Sequence, residues 1–309
     1  MMPITTATFP DLVELLHPLV TEDGFSATTI PQVSLIATHQ PVARTPLMYD
    51  PSLTIVAQGR KIGYLGEREI HYNPGHYLVQ TLPLPFECET FASPDAPLLA
   101  ISVHIDAAML GELVMEAGST SFATHEADPL PMASVAMTPG IREAVTRLVR
   151  ALHDRVDAQV MGQARVRDVI FEALKGEQGP ALRALIQNRG NYSRIVQVLS
   201  QMHANFDHDL GVDTLAREAN MSVSSFHHHF KRITHASPLQ YLKRLRLIKA
   251  RLLLGHDDLN VNQIAATVGY RSVPQFSRDY KRYFGVSPVK DRQASPSPPI
   301  DYAATPRAS

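Results

Sequence analysis

Two stretches near the C-terminal end of this 309-residue chain are written on one pattern: "FKRITHASP" from Phe230 to Pro238, and "YKRYFGVSP" from Tyr280 to Pro288. The likeness extends backwards. "LAREANMSVSSFHHHFKR" (Leu215 to Arg232) aligns with "IAATVGYRSVPQFSRDYKR" (Ile264 to Arg282), the second copy being one residue longer within its turn. Ala216 then pairs with Ala265, Ala219 with Val268, Phe226 with Phe276 and Phe230 with Tyr280. Each copy reads as one supersecondary unit. A short helix carries a small residue where another helix crosses closely, a turn follows at Asn220-Met221-Ser222 or Gly269-Tyr270, and a second helix sets two aromatics four apart on a buried stripe. That is the layout of a helix-turn-helix.

The opposite face of each second helix is polar: Ser224, His227, His228 and Lys231 in the first copy, Val273, Ser277, Arg278 and Lys281 in the second. These side chains are short or basic, and the nearby acid Asp279 lies one residue off the stripe, so the face suits base edges and phosphates in a major groove. Lys231-Arg232 and Lys281-Arg282 end both helices, where cations complement the helix dipole and also reach phosphate. Between the copies, "SPLQYLKRLRLIKARLLL" predicts a helix with Ser237 as N-cap and Pro238 at its first position. Leu239, Leu242, Leu245, Leu247-Ile248 and Leu252 supply its apolar positions. At ~1.5 Å per residue it is roughly 25 Å long, a spacer that holds two readers for successive major grooves of one duplex.

The net charge of −1 hides a division of the chain. Through residue 190 there are 13 Lys+Arg against 21 Asp+Glu; from 191 to 292 there are 15 against 8. A basic last third beside an acidic front points to a polyanion for the former. No apolar run is long enough for a membrane span. The start, "MMPITTATFPDLVELL", lacks the pattern of a secretory signal, and the single cysteine, Cys88, allows no internal disulfide; a cytoplasmic protein is expected.

After a helix candidate from Asp11 to Val20, residues 33–104 alternate as strands, with breaks at Gln58-Gly59, Gly66-Glu67 and Asn73-Pro74-Gly75. Such spacing predicts an antiparallel barrel or sandwich. "AAMLGELVMEA" reads helical. From Thr138 to Val156, Ile141, Val145, Leu148, Val149, Leu152 and Val156 recur at helical spacing, and a further helix is expected from Ala164 to Leu174. Two antiparallel helices packed on the barrel follow from this, a role compatible with a helical dimer contact. A boundary is placed near Gly190. Beyond Arg292, "QASPSPPIDYAATPRAS" has no apolar period and reads as a disordered tail.

The segment from Ile195 to Arg292, closing on "GYRSVPQFSRDYKRYFGVSP", resembles the DNA-binding domain of the AraC/XylS family of transcription regulators. The front, with "YDPSLTIVAQGRKIGYLGEREIHYNPGHYLV" and "LPFECETFASPDAPLLAISVHID", looks like that family's cupin-type N-terminal domain. The resemblance implies an α+β chain: a cupin-like antiparallel β-barrel with packed helices over 1–190, an all-α domain of two helix-turn-helix units joined by a long helix over 191–292, and a tail over 293–309. It implies double-stranded DNA and RNA polymerase as partners, a barrel that binds a small-molecule effector or forms a homodimer, and no cofactor or enzymatic role; activation and repression both stay open. By matching motif positions, base contacts fall to Ser224, His227, His228, Val273, Gln275, Ser277 and Arg278, and phosphate contacts to Lys231, Arg232, Lys281 and Arg282. Histidines at 227 and 228, where the family often has Arg or Gln, connect the first unit's binding to pH near neutrality. Pro274 replaces a more usual polar residue and falls in the first turn, where it is tolerated.

The other reading is a metal-dependent cupin enzyme with an accessory basic domain. His71, His76, His104, Glu87 and Glu89 are its ligand candidates. No His-x-His occurs in the barrel segment, however, and His71 and His76 flank a Pro-Gly turn on different strands. His227, His228 and His229 are consecutive and diverge by about 100° on a helix, so they do not chelate one ion. Cys88, between Glu87 and Glu89, is disfavoured as a thiolate.

Overall fold

Helix α1 (Pro10–Leu16) and a 3-10 turn (His17–Leu19) lead into a succession of strands: β1 (Gly24–Ala27), β2 (Val33–Thr38), β3 (Val42–Leu47), β4 (Ser52–Gln58), β5 (Arg60–Leu65), β6 (Arg68–Tyr72), β7 (His76–Gln80), β8 (Phe86–Phe91) and β9 (Leu98–His104). The computed structural model describes residues 10–118, 129–186, 190–255 and 259–294; the expected tail lies outside them, apart from its first two residues. All three expected breaks fall between strands. Asp106 then caps α2 (Ala107–Ala117) by accepting the Met109 N–H at 2.7 Å, and β10 (Met132–Ala136) follows.

The strands do not close into one barrel. Six form an antiparallel sheet in the order β1-β2-β9-β4-β7-β10, and four form a second, β3-β8-β5-β6. The larger sheet is covered on both sides. Leu53, Ile55, Val79, Ile101 and Val103 face the helices, whereas Val56, Leu78, Leu98 and Ala100 face the second sheet. Strand β4 is therefore buried at every position but its last, which removes the alternation a half-exposed strand would show. In β8 the alternation survives: Phe86, Cys88 and Thr90 point inward while Glu87 and Glu89 are partly exposed.

The helices on the large sheet are α3 (Pro139–Ala151), α4 (Arg155–Lys175) and α5 (Gly179–Ala184). The expected pair is present with different ends. Thr138 caps α3, but the helix stops before Val156, because the Asp154 carboxylate accepts the N–H groups of Val156 and Asp157 at 2.8 and 2.9 Å and starts α4 there. Val156 consequently stands 66% exposed at the head of the next helix rather than on the buried stripe, and α4 begins nine residues before Ala164.

Helix α6 (Gly190–Ala204) opens the all-α part. It is followed by α7 (Val212–Glu218), α8 (Val223–Thr234), α9 (Pro238–Leu254), α10 (Val261–Thr267), α11 (Val273–Phe284) and α12 (Pro288–Ala294). Ser237 and Gln240 form a reciprocal capping box at the start of α9. This long helix is apolar on two sides. Tyr241, Leu242, Leu245 and Ile248 join a core with α6, α7 and α8, and Leu247, Ala250 and Leu254 join a second core with α10 and α11. At ~100° per residue these two stripes lie on roughly opposite faces. Leu239, expected in an apolar stripe, is 60% exposed.

The first of these cores is continuous with the sandwich interior: Leu82, Leu84 and Phe86 belong to one hydrophobic body with Tyr192, Ile195, Phe226, Phe230 and Tyr241. The Thr81 hydroxyl and the Tyr192 hydroxyl are 2.7 Å apart, both buried.

The turns of the two units repeat each other in detail. Met221 N–H donates to Ala216 O and Tyr270 N–H to Ala265 O, both at 2.9 Å, across Asn220 (φ +51°) and Gly269 (φ +80°). A Cβ on Gly269 would lie 2.4 Å from the Asp207 carbonyl oxygen, a backbone atom that cannot turn aside. Gly269→Ala is therefore expected to lower stability by more than the ~1–2 kcal/mol that a left-handed L-residue costs by itself. Asn220→Gly at the matching turn is expected to change it by less than about 1 kcal/mol. Urea unfolding of the two variants checks both; equal effects would show that the Asp207 contact is not felt.

Candidate nucleic-acid interface

Each second helix begins on a serine cap: Ser222 accepts the Ser225 N–H at 3.3 Å and Ser272 the Gln275 N–H at 3.4 Å. Each ends on a left-handed residue, His235 (φ +55°) and Gly285 (φ +78°). Between these points Phe226, Phe230, Phe276 and Tyr280 are wholly buried, and that burial decides which face remains outside. On α8, Ser224, His227, His228, Lys231 and Arg232 are exposed. On α11, Gln275, Arg278, Lys281 and Arg282 are exposed, while Val273 and Ser277 are half-buried. Val273 packs against the second unit's core, so its contribution at the surface is partial. Pro274 is exposed in the first turn of α11.

Asp279 is buried and does not stand on the outer face. Its carboxylate takes Lys243 of α9 at 2.6 Å and Arg282 at 2.6 Å, and so joins α11 to α9. Arg282 keeps 72% of its side chain exposed despite the pair. At the matching position of the first unit, His229 turns inward and lies 3.0 Å from Asn191 Nδ2 on α6. The three consecutive histidines thus split, two outward and one inward. Among the described residues no group of three His, Cys, Asp or Glu could hold a metal ion. His71 and His76 are exposed, on β6 and β7, and the buried Cys88 thiol lies 3.1 Å from the Tyr72 hydroxyl.

Several basic side chains of the last third serve the fold. Arg246 donates to the Phe206 and His208 carbonyls beyond α6, and Arg251 pairs with Asp291, which also accepts the Tyr280 hydroxyl at 2.5 Å. Burial and that carboxylate push the Tyr280 phenol far above its usual range. Not every cation of this segment is therefore at the surface, and of those that are, Lys231, Arg232, Arg278, Lys281 and Arg282 stand on α8 and α11. Exposed cations also lie outside the motif positions, among them Arg194, Arg217, Lys290 and Arg271; Arg271, the extra residue of the second turn, sits just before the Ser272 cap and pairs loosely with Asp209 at 3.3 Å. The one-residue length difference between the copies is the signal that marks it.

Comparison with known proteins agrees with this geometry. Residues 29–181 match the family model described as the AraC-type transcriptional regulator N-terminus, and residues 215–294 match a helix-turn-helix domain model. The HTH-type transcriptional regulator GbdR of Pseudomonas aeruginosa is 33% identical over 128 residues, 41% of this chain and 35% of that protein. The HTH-type transcriptional activator RhaS of an Enterobacter species is 36% identical over 103 residues, 33% of this chain and 37% of that protein. The matched stretches thus span little more than a third of either relative. A crystal structure of unsaturated fatty acid bound ToxT from Vibrio cholerae superposes over 88% of this chain and 97% of its own, with a TM-score of 0.54 at 10% identity, a likeness of fold alone.

The Asp279 clamp yields a direct expectation. Asp279→Asn leaves Lys243 and Arg282 without their counter-charge; because both partners reach water, the loss of stability is expected near ~2–3 kcal/mol, at or below the lower end for broken buried pairs. Double-mutant cycles with Lys243→Met check it, and a coupling energy indistinguishable from zero would remove the clamp from this account.

Proposed function

The chain belongs to the AraC/XylS family of transcription regulators, and from that premise we propose that it controls transcription by reading double-stranded DNA with both helix-turn-helix units while its N-terminal domain answers to a small molecule or to a second copy of the chain. The division at residue 190, with 1–190 regulatory and 191–292 DNA-reading, is part of this proposal, as is RNA polymerase as a partner. One observation carries it. Two helices of matched sequence bury their aromatic stripes and leave outward faces with basic or short polar side chains, their acid turned inside. Such faces approach base edges without carboxylate repulsion from phosphate.

In this reading Ser224, His227 and His228 contact bases from α8, and Val273, Gln275, Ser277 and Arg278 do so from α11. Lys231, Arg232, Lys281 and Arg282 meet phosphates. The half-buried positions of Val273 and Ser277 suit an apolar or hydroxyl contact made close to the helix, whereas exposed Arg278 has the reach for a bidentate contact to guanine. Control by the N-terminal domain is a shift between domain arrangements that a ligand binds with different affinity. The metal-enzyme reading lacks its ligand set among the described residues. No described helix is long and apolar enough to cross a membrane, in keeping with a cytoplasmic regulator.

Arg278→Ala is expected to weaken binding to a selected site by about 1–3 kcal/mol and to relax preference at one base pair. Lys281→Ala is expected to weaken specific and random duplex alike and to lower the salt slope by about one. Titrations of both variants on selected and scrambled duplexes, at several salt concentrations, decide the assignment. Equal loss on both duplexes for Arg278→Ala would reassign that arginine to phosphate.

A further inference from the structure

The likeness of the two units continues into the helix after each recognition helix. Ser237-Pro238 opens α9 as Ser287-Pro288 opens α12, and four residues beyond each serine stand Tyr241 and Asp291. In the second unit the hydroxyl belongs to the recognition helix: Tyr280 donates to Asp291 at 2.5 Å, and the unit is tied to itself. In the first unit the roles are exchanged. Phe230 has no hydroxyl, and Tyr241 packs its ring edge-on against Phe230, 5.6 Å between centroids at 89°.

The Tyr241 hydroxyl leaves the unit altogether. It donates to the Pro83 carbonyl, between β7 and β8, at 2.5 Å, and lies 2.7 Å from His203 Nε2 on α6. A phenol has one proton, and Pro83 takes it, so Nε2 is the donor in the second bond. Burial pushes the His203 imidazole down to about 4, consistent with a neutral ring. On the other side, Gln80 Nε2 donates to the carbonyls of Tyr49 and Leu82, both at 3.0 Å, and Thr81 is tied to Tyr192. The loop offering the Pro83 carbonyl is thus braced from inside the sandwich by Gln80 and tied to α6 by Thr81. Tyr283 and Phe284, at the end of α11, also touch this body, yet the polar anchors of α11, Asp279–Lys243 and Tyr280–Asp291, lie within the all-α part.

We propose that Tyr241 is a positioning residue for DNA recognition: through its hydroxyl the N-terminal domain sets where α8 presents Ser224, His227 and His228, while α11, which meets the sandwich through packing at β3, has its polar anchors within the all-α part. This rests on the reading that both units contact DNA.

The test uses the full chain and duplexes that it selects from a random pool. Tyr241→Phe keeps the ring on Phe230 and removes only the hydroxyl; Tyr280→Phe is the matched change in the other unit. Affinities are measured for every single base-pair substitution of the selected site, and amide hydrogen exchange is followed without DNA. Tyr241→Phe is expected to speed exchange at the amides of Thr81, Leu82 and Leu84 and to change preferences by about fivefold, the size of one net hydrogen bond, in the half of the site assigned to α8 by Ser224→Ala. The other half should be unchanged, and Tyr280→Phe should spare the first half. Gln80→Met, which loosens the same loop from inside the sandwich without touching Tyr241 or α6, is expected to shift the same half and supplies the comparison should Tyr241→Phe not fold. A uniform loss across both halves, or a wild-type profile with unaltered exchange, overturns the proposal. A wild-type chain that selects no sequence fails one step earlier and takes the DNA reading with it.

Discussion

The two-sided burial of α9 is the constraint on which the reader depends. Tyr241, Leu245 and Ile248 belong to one core and Leu247, Ala250 and Leu254 to another, so a single helix is the floor of two hydrophobic bodies at once. Helix packing of this kind couples rotation about the axis: neither unit can turn relative to α9 without opening its own core. Once the aromatics of α8 and α11 are committed to those cores, the exposed faces of both helices follow, and so does the direction in which each presents its polar side chains. Three of the five charges on α9 are accommodated along the same lines, with Lys243 on Asp279, Arg246 on two carbonyls and Arg251 on Asp291. They are the mortar of the reader more than its contact surface.

The two copies are alike in architecture and unlike in how they are anchored. The position that holds buried Asp279 in α11 holds His229 in α8, and the position of Asp291 is taken by Tyr241. Each exchange replaces an ion pair internal to the second unit by a hydrogen bond from the first unit to α6 or to the sandwich. The first unit consequently shares its core with the N-terminal domain, and the second keeps a core of its own. Charge-assisted pairs and neutral hydrogen bonds also differ in strength, the former being roughly twice the latter. On those grounds the second unit is the more self-sufficient of the two.

What the sequence makes legible follows from how local each cause is. The Ser237 cap, the turns at Asn220 and Gly269, and the aromatic pairs four apart all act within one or two helical turns, and all of them are found where the sequence places them. Strand breaks at glycine and proline are equally local. Closure of the sheets is not, because it depends on partners fifty residues away and on a strand, β4, buried on both faces with no alternation to read. Val156 has the right period for a buried stripe and lands in another helix because Asp154 offers a better start. Leu239 fails for a related reason: helical spacing says which residues share a face, and only the packing of neighbours says which face is covered. The destination of the Tyr241 hydroxyl has no sequence signal except the exchange with Tyr280 across the repeat.

Under the proposed function, a duplicated reader on a stiff helix would behave as a bivalent ligand for DNA. Binding of one unit makes the second event intramolecular, and the combined affinity can exceed either unit's by ~10²–10⁴-fold, provided that both engage without strain; when geometry forbids simultaneous engagement the gain disappears. Regulation then requires no blocking of the recognition faces, and both are indeed exposed with the sandwich docked. A displacement of the first unit that misaligns α8 with the groove while α11 still fits would be enough to reduce bivalent binding toward that of the second unit alone. The asymmetry of the anchors places that displacement where the N-terminal domain can act on it: the unit with short and imidazole side chains is bonded to Pro83 through Tyr241, and the unit carrying Arg278 is held by carboxylates of its own. On the proposed function, a sensor attached to one reader of a bivalent pair would gain control over the whole product of the two affinities while leaving the other reader engaged.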